Sequence, residues 1–287
     1  MIKVKNLRFT YKSANVEAVK GISFEIQKGE IFGFLGPSGA GKSTTQNIMI
    51  KLLDGYEGEI EIFGKNLKSF GSEIYENIGV GFELPNHFLK LTARQNLEFF
   101  SSLYSNKTRS IDKLLERVGL EDSKDKVVEN FSKGMKMRLN FVRALMNNAD
   151  VLFLDEPTTG LDPVNSKIIK DIILEEKSKG RTIFITTHNM QVADDLCDRV
   201  AFIVDGNIAE MDKPEELKLK HGKDQVILEY YDSDKNTDIK QKTFELGDLG
   251  SNMDFIDTLK NHRVRTIHSQ ETTLEEVFIK VTGRRLY

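Results

Sequence analysis

Residues 31–50 read IFGFLGPSGAGKSTTQNIMI, and this stretch decides the fold. The apolar run Ile31, Phe32, Phe34, Leu35 predicts a buried strand. It breaks into Gly36-Pro37-Ser38-Gly39-Ala40-Gly41 and then Lys42-Ser43-Thr44. Ile48, Met49, Leu52 and Leu53 recur at helical spacing until Asp54-Gly55 ends the pattern. A G-x-x-x-x-G-K-[ST] run between strand and helix is a phosphate-binding loop. Its glycines let successive backbone N–H groups turn in around phosphate oxygens, and the helix N-terminus adds partial positive charge. Lys42 is then suited to reach β- and γ-phosphates, and the Ser43 hydroxyl to ligate Mg²⁺.

The chain of 287 residues is long enough for one large domain with an appendage. Its net charge of −3 offers no whole-chain attraction for nucleic acid or anionic membrane. A single cysteine, Cys197, excludes an internal disulfide and fits a reducing cytosol as a small packed side chain. No apolar run approaches the ~18 residues of a membrane span. The start, MIKVKNLRF, alternates like a strand and unlike a signal peptide, so the expected location is cytoplasmic.

Working outward, Ile2, Val4, Leu7 and Phe9 predict a half-exposed strand ended by Tyr11. Ile22, Phe24 and Ile26 predict a second, giving an antiparallel unit before the loop. Residues 59–64 and 78–82 read as further strands, with Glu83-Leu84-Pro85-Asn86 breaking the latter. Residues 91–104 and 111–118 read as amphipathic helices, the first with a capping box from Thr92 and Gln95. Phe131-Ser132-Lys133-Gly134-Met135 opens another helix through Met146.

Val151 to Leu154 form a continuous apolar run ending in Asp155-Glu156, which predicts a buried parallel strand with its C-terminal end on the site. There Asp155 suits Mg²⁺, normally through a water, and Glu156 suits a general base for attacking water. A helix is predicted over 168–174, and a core strand over 182–186 that ends in Thr187-His188 at the same sheet edge, which favours a phosphate contact for His188. Asp205-Gly206-Asn207 between two apolar runs predicts a hairpin. Residues 219–287 carry no catalytic motif. They read as a small α+β appendage with one strand over 226–230 and helices over 254–259 and 274–281.

Assembled in this order, the motifs make the first 218 residues resemble the nucleotide-binding subunit of ATP-binding-cassette (ABC) transporters. GPSGAGKST at 36–44 matches Walker A, VLFLDE at 151–156 matches Walker B, FSKGM at 131–135 the signature loop and GLD at 160–162 the D-loop. The resemblance implies an α/β P-loop NTPase with an N-terminal antiparallel β subdomain, a helical subdomain near 74–145 and a C-terminal extension. It implies ATP and Mg²⁺, with Tyr11 stacking on adenine and His188 as the switch histidine. Ser132 and Gly134 would be presented to the γ-phosphate of a second nucleotide-binding subunit, with Asp162 beside them in the D-loop. It aligns Glu83 with the Q-loop glutamine, as a metal-side ligand with extra negative charge. The Ser-Lys-Gly-Met signature and the C-terminal extension are similar to a branch of bacterial exporters for drugs, antibiotics and peptides. The partners implied are a second cassette and a polytopic membrane permease, which would hold the chain at the cytoplasmic face of the membrane, with no nucleic acid. A soluble ABC ATPase acting on DNA or ribosomes is the alternative, and neither a second cassette nor a long insertion supports it.

Overall fold

Asn6 explains a slip in the first apolar pattern. Ile2 and Val4, then Leu7 and Phe9, face inward, and the alternation shifts because Asn6 sits at φ +47 in an irregularity of the strand ladder. The computed structural model describes residues 2–12, 14, 16–222, 225–232, 238–270 and 272–284. They form two compact units, one ending at Lys213 and the other spanning Pro214–Arg284.

In the first unit the elements run β1 (Ile2–Thr10), β2 (Glu17–Ile26), β3 (Ile31–Leu35), α1 (Lys42–Met49), β4 (Glu57–Ile62), β5 (Lys65–Asn66) and β6 (Ile78–Gly81). There follow α2 (Ala93–Ser101), α3 (Ile111–Arg117), α4 (Lys133–Leu145), β7 (Val151–Asp155), α5 (Pro163–Ser178), β8 (Thr182–Thr187), α6 (Met190–Leu196), β9 (Arg199–Val204) and β10 (Asn207–Asp212). One antiparallel sheet has the order β2-β1-β4-β5, and a six-stranded sheet has the order β10-β9-β3-β8-β7-β6. In the latter every neighbouring pair from β9 to β6 is parallel, and β10 is an antiparallel edge. Strands β3, β7 and β8 are buried along their whole length, as expected for parallel strands covered on both faces. Between the sheets Phe24 stacks on Phe32 with ring centres 5.5 Å apart, and Phe34 and Phe184 continue the layer.

The helix after the phosphate loop is shorter than its apolar spacing predicts. It ends at Met49, Lys51 adopts φ +58, and Leu52 is left exposed. The stretch 74–145 is not wholly helical, since β6 within it pairs with β7 in the central sheet. The predicted capping box forms in full, with Thr92 and Gln95 bonding each other's backbone. The predicted hairpin also forms: Asp205 (φ +49) and Gly206 (φ +79) supply the two left-handed residues its tight turn requires.

The second unit contains α7 (Pro214–His221), β11 (Gln225–Tyr231), β12 (Ile239–Glu245), α8 (Met253–Asn261), β13 (Arg263–Gln270) and α9 (Leu274–Thr282). The sequence reading found β11 and both later helices but missed β12 and β13. These are the outer strands of a β12-β11-β13 sheet. Along β12 only Phe244 is buried, so no apolar alternation marks the strand. Leu228, Tyr230 and Phe244 form one small apolar cluster in this unit, with Phe255 and Leu259 of α8 packed on it. Residues 223–224, 233–237, 271 and 285–287 of the expected extension lie outside the described residues. Among the described residues no helix is long and apolar enough to cross a membrane.

Candidate active site

The loop from β3 to α1 closes tightly because its glycines permit it. A Cβ on Gly36 would sit 2.1 Å from the Ile203 carbonyl oxygen, and Gly41 adopts φ +107 where the helix begins. Lys42, the first residue of α1, folds back so that Nζ donates to the carbonyls of Gly36 (2.7 Å) and Pro37 (3.0 Å). Burial lowers its pKa, opposed by the nearby carboxylates of Glu156, Asp155 and Glu83. Ser38, Gly39, Ser43 and Thr44 complete one wall of a cavity of about 360 Å³, and Glu83, Asp155, Glu156 and His188 form the other. Tyr11 lies at the edge of this region: its hydroxyl is 3.0 Å from Thr44 Oγ1, and its ring stands edge-on to Phe9.

The carboxylates arrive from adjacent parallel strands. Asp155 ends β7 directly beside Thr186 of β8, whose hydroxyl donates to Asp155 Oδ1. Burial raises the Asp155 pKa; hydrogen bonds from Thr186 and Ser43 counter this, while Glu83 and Glu156 add to it. Glu156 turns out of the strand at φ +49, a region costly for a residue with a Cβ. Its side chain is fully engaged. Oε1 accepts from the His188 backbone N–H (2.9 Å) and lies 2.5 Å from His188 Nδ1. Oε2 accepts from the hydroxyls of Thr159 and Thr187, both at 3.0 Å. His188 is thus held to Glu156, and the threonines were not singled out from sequence. For Thr187 the one legible sign is the polar pair Thr186-Thr187 that follows the apolar run Ile183-Phe184-Ile185; Thr159 has none.

Ser43, Asp155 and Glu83 line the same cavity. Among the described residues no group of three or more His, Cys, Asp or Glu could hold a metal alone. Two carboxylates and a hydroxyl beside a phosphate loop instead suit Mg²⁺, which keeps waters and shares phosphate oxygens.

Ser132, Gly134 and Asp162 do not line this cavity. Ser132 caps α4, accepting from the Met135 N–H. Asp162 caps α5, and the Asn165 N–H that it accepts holds its pKa down. These two loops touch: a Cβ on Gly134 would lie 3.6 Å from Leu161 Cδ2. Cys197 is buried against Gly33, and burial pushes its thiol pKa up, so it is a packed side chain.

A family model described as ABC transporter matches residues 19–159. The fluoroquinolones export ATP-binding protein of Mycobacterium tuberculosis is 50% identical over 286 residues, covering 100% of this chain and 94% of that protein. The chain belongs to the ABC transporter ATP-binding proteins. As an ABC ATPase it binds and hydrolyses ATP. The bacitracin transport ATP-binding protein of Bacillus licheniformis is 34% identical, covering 99% of this chain and 97% of its own length. A second model, the fluoroquinolone efflux ABC transporter C-terminal domain, matches residues 225–271 of this ABC ATPase. Among solved structures, the dimeric cassette MJ0796 in a post-hydrolysis state with ADP and Pi is similar, with TM-score 0.67 and 29% identity. That alignment covers 74% of this chain and 98% of that one.

Proposed function

We propose that this ABC ATPase is the motor of an exporter, driving efflux of a drug- or antibiotic-like cargo through a separate membrane subunit. The observation that carries this reading is the match of residues 225–271 to a fluoroquinolone efflux C-terminal domain, within a chain similar to drug and antibiotic export proteins over its whole length.

The site's geometry supports the following roles. Lys42 exchanges the Gly36 and Pro37 carbonyls for β- and γ-phosphate oxygens, while N–H groups of residues 36–44 surround the phosphates. Tyr11, at Thr44, receives the adenine. Ser43, Asp155 and Glu83 would hold Mg²⁺, which when bound neutralises phosphate charge. Glu156 accepts the proton of the attacking water, and His188 fixes its carboxylate until the γ-phosphate draws the histidine away. Ser132, Gly134 and Asp162, which lie outside the cavity, serve the ATP of a second cassette, itself a copy or a homologue. Splitting the site in this way makes hydrolysis depend on closure of the pair.

The two arginines of α4 make contacts within the chain. Arg138 donates to the Val118 and Gly119 carbonyls, and Arg143 lies over Phe82 and Phe100. A cavity of about 750 Å³ walled by Tyr75, Phe82, Phe100 and Tyr104 offers a seat for a helix of the membrane subunit, and that contact would hold the chain at the cytoplasmic face.

Two variants test the chemistry. Lys42→Ala should abolish tight MgATP binding, measured by equilibrium titration. Glu156→Gln should retain binding and lower turnover by about a hundredfold or more. Wild-type hydrolysis in Glu156→Gln overturns its role as base.

A further inference from the structure

This inference rests on the reading of Glu156 as the base for the attacking water, and it concerns what holds that base back. A carboxylate offers two lone pairs on each oxygen, about four acceptor positions in all. In Glu156 four donors fill them. The His188 backbone N–H (2.9 Å) and Nδ1 (2.5 Å) share Oε1, and the hydroxyls of Thr159 and Thr187, both at 3.0 Å, share Oε2. Nδ1 must carry its proton to approach a carboxylate oxygen this closely. A base in this state has no position left for the proton of water, and each donor also stabilises the charged form that protonation would remove. A donor must leave before Glu156 acts.

Two of the four cannot leave by themselves. The Glu156 N–H donates to the Thr186 carbonyl (2.9 Å), which ties the base to the end of β8. Thr187 closes that strand, is buried, and its Oγ1 also accepts the Asn189 N–H (3.0 Å). The His188 N–H follows directly in the chain, so both donors move with the carboxylate they hold. The other two are separable. The His188 ring is partly exposed and stands at the phosphate cavity. Thr159 does not line the cavity; it sits in a turn whose N–H donates to the Glu156 carbonyl (3.1 Å). Beyond it the chain runs through Gly160, at φ +75, to Asp162, the cap of α5. The first turn of α4 backs this loop: a Cβ on Gly160 would lie 3.0 Å from Lys133 Cε, and Gly134 faces Leu161.

We propose that Thr159 is a positioning residue that brakes the base: its hydroxyl occupies Oε2 in the single chain, and seating of a second cassette against residues 160–162 withdraws it. Two separate events then release the two oxygens. The γ-phosphate of the chain's own ATP draws the His188 ring from Oε1, and the second cassette draws Thr159 from Oε2. Hydrolysis thereby waits for nucleotide and partner together. Thr159 stands outside the phosphate cavity, so its effect falls on turnover and leaves ATP affinity alone.

The test measures phosphate release at saturating MgATP across a dilution series of the chain with its second cassette, copy or homologue. Thr159→Val keeps the shape and removes the donor. In the dilute limit, where the cassettes are apart, its turnover should exceed that of wild type about tenfold, the scale of one hydrogen bond to a charged group. Where pairing is complete the two should agree, because the partner has already withdrawn the hydroxyl, and KM for ATP should be unchanged throughout. Thr159→Ser should behave as wild type at both ends. Thr159→Ala should follow Thr159→Val, so a folding failure in one apolar variant leaves the other to decide. Glu156→Gln/Thr159→Val should stay inactive, because the gain runs through the base. The proposal is overturned by a folded Thr159→Val or Thr159→Ala chain whose dilute turnover equals or falls below that of wild type. An equal gain in the paired state, or a change confined to KM, overturns it as well. Wild-type hydrolysis in Glu156→Gln is a different result, and it overturns the reading of Glu156 as base on which the inference rests.

Discussion

Glu176 is fully buried at the end of α5, among Arg109, Arg117, Lys179 and Arg181. Burial alone would raise its pKa, but hydrogen bonds and charge from Arg109, Lys179 and Arg117 prevail and lower it from 4.5 to about 2. A carboxylate with a depressed folded pKa stabilises the fold above its unfolded value. That contribution should be complete above pH about 4.5 and disappear as pH falls towards about 2. Glu176→Gln should flatten this part of the stability curve, followed as denaturant midpoint against pH. At neutral pH it should cost about 3–5 kcal/mol, because Arg109 and Arg181 lose their carboxylate partner while Arg117 keeps Glu175. A curve that keeps its acid limb in Glu176→Gln would assign the effect to other carboxylates. Glu156 illustrates a different balance: its left-handed backbone costs on the order of 1–3 kcal/mol, and the clamp of Thr159, Thr187 and His188 holds it there.

At the scale of elements, α4 lies so close to β6 that a Cβ on Gly79 would meet the Ala144 carbonyl at 2.0 Å. A side chain at this position would force the helix off the central sheet. In the loop over 82–91 Phe88 is 46% exposed and stands edge-on to Phe99, with ring centres 4.8 Å apart. Its backbone is pinned by Asn96, which accepts from the Phe88 N–H and donates to its carbonyl. The side chain is half-exposed, outside the main core, so Phe88→Asp should leave the chain soluble with its thermal midpoint within a few degrees of wild type. It should nevertheless strip the chain from membranes containing the polytopic partner, measured by co-sedimentation. Recruitment that survives in a folded Phe88→Asp variant would move the docking surface elsewhere.

For the whole molecule, the separation of Ser132, Gly134 and Asp162 from the phosphate cavity makes the single chain an incomplete catalytic unit on the proposed reading. Glu156→Gln should double in mass when MgATP is added, because closure is retained while hydrolysis is blocked. The double variant Lys42→Ala/Glu156→Gln should remain monomeric under the same conditions, as seen by light scattering. Mass doubling without nucleotide would show that ATP does not drive the association.

What the sequence determined by itself was everything encoded by neighbours in the chain. The phosphate loop is contiguous from Gly36 to Thr44, the carboxylates follow their strand without a gap, and the Asp205-Gly206 turn carries its own conformational requirement. What only the tertiary structure decided depends on which strands lie side by side. Thr187 and His188 reach Glu156 because β8 pairs with β7 in a register that sets Asp155 against Thr186, across some thirty residues of chain. The outer strands β12 and β13 also had to await their pairing partner, since edge strands with a polar exposed face carry little periodic apolar signal. Arg143 is the clearest case. Beside Lys133, Lys136 and Arg138 in the sequence it reads as one more charge on a helix, and only the packing of Phe82, Phe100 and Asn86 around it turns it into a cation facing a groove.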